Sequence, residues 1–120
     1  MIHTVLLVED EDELRDSMRD LLEGNGYAVI TARDGREALD ALARVDIGTL
    51  CLVLLDLLMP GMNGWDFFDA MRARSELAGV PVVVHSSAPS RAPRGVARVM
   101  QKPLQPERLL AVVREYCAQH

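Results

Sequence analysis

The stretch LCLVLLDLLMPGMNG, Leu50–Gly64, decides the fold. It opens as a short, almost wholly apolar run, suited to a strand at the centre of a sheet covered on both faces. Asp56 then stands between Leu55 and Leu57, and the run breaks into Pro60, Gly61 and Asn63-Gly64. A carboxylate inside a buried strand costs several kcal/mol unless something pairs with it. At the strand's end, facing a crevice, the same group is available for chemistry.

Working outward, β-branched runs alternate with helix-period segments. Ile2–Val8 reads as a strand and Asp12–Glu23 as a helix with Leu14, Met18, Leu21 and Leu22 on one face, stopped by Gly24-Asn25-Gly26. Tyr27–Ala32 reads as a second strand. Asp34 with Glu37 forms a capping box for a helix carrying Ala38, Leu42 and Val45. After the central strand, Asn63 caps a helix bearing Phe67, Phe68 and Met71. Val80–Ser86 and Ala97–Gln101 supply the last two strands, and Pro106 opens a final helix with Leu109, Val112, Val113 and Tyr116. Buried strands alternating with helices imply a parallel sheet with helices on both faces.

The bulk numbers narrow the function. The chain has 120 residues, read as one domain over 1–120, and 49% of them are hydrophobic, enough for a single core. A net charge of −5 with no basic run argues against a nucleic-acid surface. The apolar run Leu50–Leu55 is far too short to cross a bilayer, so no membrane association is expected. The chain starts almost directly with a strand, and no signal peptide is expected. Cys51 and Cys117 lack metal-type spacing and read as separate reduced thiols in a cytoplasmic protein.

In a doubly wound parallel sheet the ligand site lies beyond the carboxyl ends of the strands. The residues at those ends are Glu9 and Asp10, Asp56, Ser86 with Ser87, and Lys102. Carboxylates held roughly 4–5 Å apart repel by about 3–4 kcal/mol per charged pair at an effective dielectric near 20. A hard divalent cation removes that cost, and Mg²⁺ favours one or two carboxylates, waters and a phosphate oxygen. A lysine can pair with Asp56 or bind a phosphoryl group. Together these groups suit phosphoryl transfer onto an aspartate. Singly, each has an ordinary reading: the run EDEDE, Glu9–Glu13, favours a helix N-terminus, Asp56 a strand-end turn, Lys102 a solvated surface. Their joint placement, each on a different strand end, favours the site.

With LLVEDE (Leu6–Glu11), LLDLLMPGMNGWD (Leu54–Asp66), PVVVHSS (Pro81–Ser87) and QKPL (Gln101–Leu104), the chain resembles the receiver domains of bacterial two-component response regulators over essentially its whole length. The resemblance implies a flavodoxin-like, five-stranded parallel sheet in the order 2-1-3-4-5. It implies that Asp56 accepts a phosphoryl group from a sensor histidine kinase or a histidine phosphotransfer protein, with Mg²⁺ as cofactor. Asp10 is then a direct metal ligand, Glu9 acts through water, and the Leu58 backbone carbonyl joins Asp56 in the metal's shell. Ser86 is the hydroxyl that closes on the phosphoryl group, Lys102 binds one of its oxygens, and the Lys102–Pro103 bond is cis. The implied protein is a stand-alone switch or relay that assists its own modification and turns over no diffusible substrate. A receiver fold that docks partners without phosphorylation is the alternative. An Mg²⁺-dependent aspartyl-phosphate hydrolase is disfavoured, because Leu58 stands where its general acid would be.

Two departures stand out. Val99 occupies the position of the aromatic residue three places before the lysine, so the family's aromatic switch cannot operate in its familiar form. Between Ser86 and Gly95 lies only SAPSRAPR, Ser87–Arg94, and its Pro89 and Pro93 exclude a normal helix. The helix between the fourth and fifth strands is therefore expected to be shortened or missing. Leu58 and Ala88 replace positions that in relatives can carry polar groups aiding hydrolysis, which predicts slow self-dephosphorylation. His85 reads as a packed strand residue, and Trp65 as either a partner contact or a helix-start packing residue.

Overall fold

The computed structural model describes residues 2–117. Strands β1 (Thr4–Val8), β2 (Ala28–Ala32), β3 (Leu50–Asp56), β4 (Val82–Ser86) and β5 (Arg98–Gln101) form one parallel sheet in the order β2-β1-β3-β4-β5. Around it lie α1 (Asp12–Glu23), α2 (Gly35–Leu42), α3 (Gly64–Arg72) and α4 (Pro106–Cys117). This is the doubly wound, flavodoxin-like arrangement expected from the sequence.

Strand periodicity divides the core in two. Leu6, Val8, Val53 and Leu55 pack with Phe67, Phe68 and Met71 on the α2–α3 side. Val5, Leu7, Leu52 and Leu54 meet Met18, Leu22, Leu109 and Val113 on the α1–α4 side. Because β3 is covered on both faces, its sequence shows no polar alternation.

Helix starts follow their caps. Asp34 accepts the Glu37 N–H at 2.9 Å, while Glu37 reaches back to the Arg33 N–H, one residue before the cap. Asn63 accepts the Asp66 N–H at 2.9 Å. Such caps contribute about 1 kcal/mol each. Element ends fall inside the expected ones. β1 begins at Thr4, where pairing with Ala28 begins; β4 begins at Val82, after Pro81, which has no N–H to donate; α2 ends at Leu42, short of Val45.

The connection from β4 to β5 holds only a 3₁₀ turn, Pro89–Arg91, so the helix is missing there as expected. One stripe of α3 holds the segment instead. The Trp65 Nε1–H donates to the Arg91 carbonyl at 2.8 Å, and the Arg91 guanidinium lies over the Trp65 ring. One turn on, Arg72 sits over Phe68 and donates to the Gly95 carbonyl at 2.9 Å. Trp65 therefore packs within the chain. The missing helix leaves an open groove of about 790 Å³ lined by Pro89, Val99, Met100, Leu104, Arg108 and Val112, among others.

The cysteines correct the sequence reading. Cys51 and Cys117 form a disulfide, with Cα atoms 5.3 Å apart across 66 positions of sequence. The last turn of α4 lies against the start of β3, a proximity that chain spacing does not reveal. Disulfides persist in oxidising surroundings, so these residues give no support to a cytoplasmic, reduced setting. Among the described residues no helix is long and apolar enough to cross a membrane.

Candidate functional site

The site forms where β1, β3, β4 and β5 end together. Register places Val8 beside Leu55 and Asp56 beside His85. The Lys102 N–H donates to the Ser86 carbonyl at 2.9 Å, fixing the segment after β5 against the end of β4.

The loop after Asp56 turns back tightly. The Gly64 N–H donates to the Leu57 carbonyl at 3.0 Å. A Cβ on Gly64 would come within 2.7 Å of both the Asp56 carbonyl oxygen and the Leu57 Cα, so α3 can start here only with glycine. Gly61 takes a left-handed φ of 70°, open to glycine at little cost. The Met62 carbonyl accepts the Gly35 N–H at 3.1 Å, tying the loop to α2.

Glu9, Asp10 and Asp56 each offer one carboxylate oxygen, and these oxygens lie within 4.8 Å of one another. Glu9 is fully buried and Asp56 nearly so. The Lys102 Nζ donates to Glu9 Oε1 at 2.9 Å and stands 3.5 Å from Asp56 Oδ2. The Glu11 N–H occupies Glu9 Oε2 at 3.0 Å, and the Leu58 N–H reaches Asp56 Oδ1 at 3.3 Å. Burial, then the Glu9 charge, push the Asp56 pKa up to about 7, against the pull of Lys102 and the Leu58 N–H. Burial works against the Lys102 ammonium, but the Glu9 hydrogen bond and the charges of Glu9 and Asp56 outweigh it and raise its pKa.

The structure thus brings Glu9, Asp10, Asp56 and Lys102 together. Ser86 is buried at the end of β4, its hydroxyl accepting the Ala88 N–H at 3.0 Å. The Leu58 side chain is exposed, and Val99 lies exposed on the edge strand. The Lys102–Pro103 bond is cis. His85 is a packed strand residue, as expected from the sequence. It is completely buried, and its Nδ1 lies 3.4 Å from Glu9 Oε1.

Three acids crowded at one edge, one of them with its pKa raised by burial and by the Glu9 charge, are a donor set of the kind a hard divalent cation takes. The fold agrees with the comparisons. Residues 5–114 match the model of the response regulator receiver domain. The chain is 34% identical over 119 residues to the transcriptional regulatory protein CpxR of Escherichia coli K12, covering 94% of this chain and 48% of that protein. It is 35% identical to the sensory transduction protein RegX3 of Mycobacterium tuberculosis H37Rv, covering 92% and 49%. It therefore spans about half the length of these curated relatives. The chemotaxis response regulator CheY4 of Vibrio cholerae superposes with a TM-score of 0.84 at 28% identity, covering 97% of this chain and 99% of that one. A CheY-like receiver domain protein of Methanospirillum hungatei JF-1, at 24% identity, shares the fold with a TM-score of 0.81. The chain belongs to the response regulator receiver domain family of two-component systems.

Proposed function

We infer that Asp56 is the phosphoacceptor of this receiver, taking its phosphoryl group from a histidine kinase or a histidine phosphotransfer protein. The observation that carries the reading is the gathering of the Glu9, Asp10 and Asp56 carboxylates within 4.8 Å, with the Lys102 ammonium 3.5 Å from Asp56. An Asp56 oxygen attacks phosphorus; the new P–O bond forms as the P–N bond of the phosphohistidine breaks, and the departing imidazole keeps the electron pair and takes up a proton. Glu9, Asp10, Asp56 and the Leu58 carbonyl would hold Mg²⁺, which supplies charge neutralisation to the acids and to the phosphoryl oxygens. Lys102 swings from Glu9 to a phosphoryl oxygen, and Ser86 releases the Ala88 N–H and donates its hydroxyl to another. The domain assists its own modification and has no diffusible substrate to turn over. Its output passes through protein contacts, and the open groove beside β5 makes a phosphorylation-independent docking module the second reading.

Beryllofluoride, a stand-in for the phosphoryl group, tests the site. With Mg²⁺ it should shift the amide resonances of Ser86, Ala88 and Lys102, and Asp56→Asn should abolish the shifts. Unchanged spectra in the unsubstituted protein would favour the docking module.

A further inference from the structure

His85 is a buried titratable group that this chemistry leaves unused. It sits at the carboxyl end of β4, paired in the ladder with Asp56, and no part of it reaches solvent. Its Nδ1 is 3.4 Å from Glu9 Oε1, and neither ring nitrogen has a hydrogen-bond partner of ordinary geometry. A neutral imidazole carries one N–H, on either Nδ1 or Nε2. An apolar residue would fill this strand position without enclosing two polar atoms.

The acceptors at hand are the Val8 carbonyl and the Glu9 carboxylate. The carboxylate is the stronger acceptor. Glu9 Oε2 is already taken by the Glu11 N–H, and Oε1 by Lys102. When Lys102 turns to a phosphoryl oxygen, Oε1 loses that donor while His85, fixed on its strand, stays beside it.

We propose that His85 is a positioning residue whose Nδ1–H holds the Glu9 carboxylate on the metal side of the site while Lys102 serves the phosphoryl group. The proposal rests on reading the acid cluster as an Mg²⁺ site. It gives β4 two tasks at its end: Ser86 for the phosphoryl group and His85 for the acid opposite.

Substitutions separate donation from packing. The amide nitrogen of asparagine falls near His Nδ1, that of glutamine near Nε2, and leucine fills volume without a donor. Mg²⁺ binding, read by calorimetry with beryllofluoride present, should weaken about tenfold in His85→Leu and His85→Gln, as for other groups that orient a metal's ligands. His85→Asn should stay within about twofold of the unsubstituted protein. Unchanged affinity in His85→Leu, or equal losses in all three, would overturn the proposal. Nitrogen NMR of the metal-free, unsubstituted protein gives a second test, needing no variant to fold. The Nδ1–H tautomer is expected, and the Nε2–H tautomer refutes the proposal. If the unsubstituted protein and Asp10→Asn alike bind no Mg²⁺, the metal reading fails and takes the proposal with it; binding that only Asp10→Asn loses leaves the variants to decide on His85 alone.

Discussion

Burial and the Glu9 carboxylate hold Asp56 protonated up to about pH 7 in the metal-free fold, against an ordinary value of 3.8. The native state then keeps a proton that the unfolded chain has lost. The stability from this group is present below about pH 4 and is lost as pH rises through about 7. In EDTA, urea melts should show stability falling between about pH 5 and pH 8 by roughly 2–4 kcal/mol more than in Asp56→Asn. Mg²⁺ should restore the loss at the higher pH; parallel profiles for the two proteins would contradict the shift. Gly64→Ala drives a methyl into the backbone of Asp56 and Leu57. It should cost about 1–3 kcal/mol in urea melts and slow phosphorylation by displacing the loop. With Leu58 and Ala88 apolar, the acyl phosphate should last minutes or longer in isolated protein; decay within seconds would contradict that. The strand-end residues were legible because topology alone assigns them to one edge. The contact of His85 with Glu9 was not, since it runs across the strand between them.

At the scale of elements, the central strand, the Asp34 and Asn63 caps and the missing helix all followed from local pattern. Local signals also act locally in the chain, whereas the tie between α3 and the β4–β5 connection does not. Trp65 and Arg91 stand 26 positions apart, and nothing in the sequence pairs them. Trp65→Phe removes the donor to the Arg91 carbonyl and should cost about 1 kcal/mol. Amide exchange in residues 87–95 should quicken while that of β3 stays unchanged. If exchange there is unaltered, α3 does not secure the connection. Val99, exposed on β5, cannot serve as an inward-moving aromatic ring.

In the molecule as a whole, the Cys51–Cys117 bond closes α4 onto the central strand across 66 positions. By loop-closure entropy it should stabilise the fold by up to about 4 kcal/mol. Urea midpoints measured with and without a thiol reductant should differ accordingly, and Cys117→Ser should match the reduced protein. Identical midpoints would mean the bond does not form in solution. Strand–helix alternation carried the parallel sheet and its acidic edge, while the strand order followed from the family resemblance. Sequence patterning missed the disulfide because only the packed structure brings the two ends of that loop together. The central claim, that Asp56 accepts phosphate, is tested most directly by intact-mass measurement after incubation with Mg²⁺ and a small phosphodonor. One phosphoryl group should be added, and none to Asp56→Asn or in EDTA. Equal addition to Asp56→Asn would place the acceptor elsewhere and contradict the assignment.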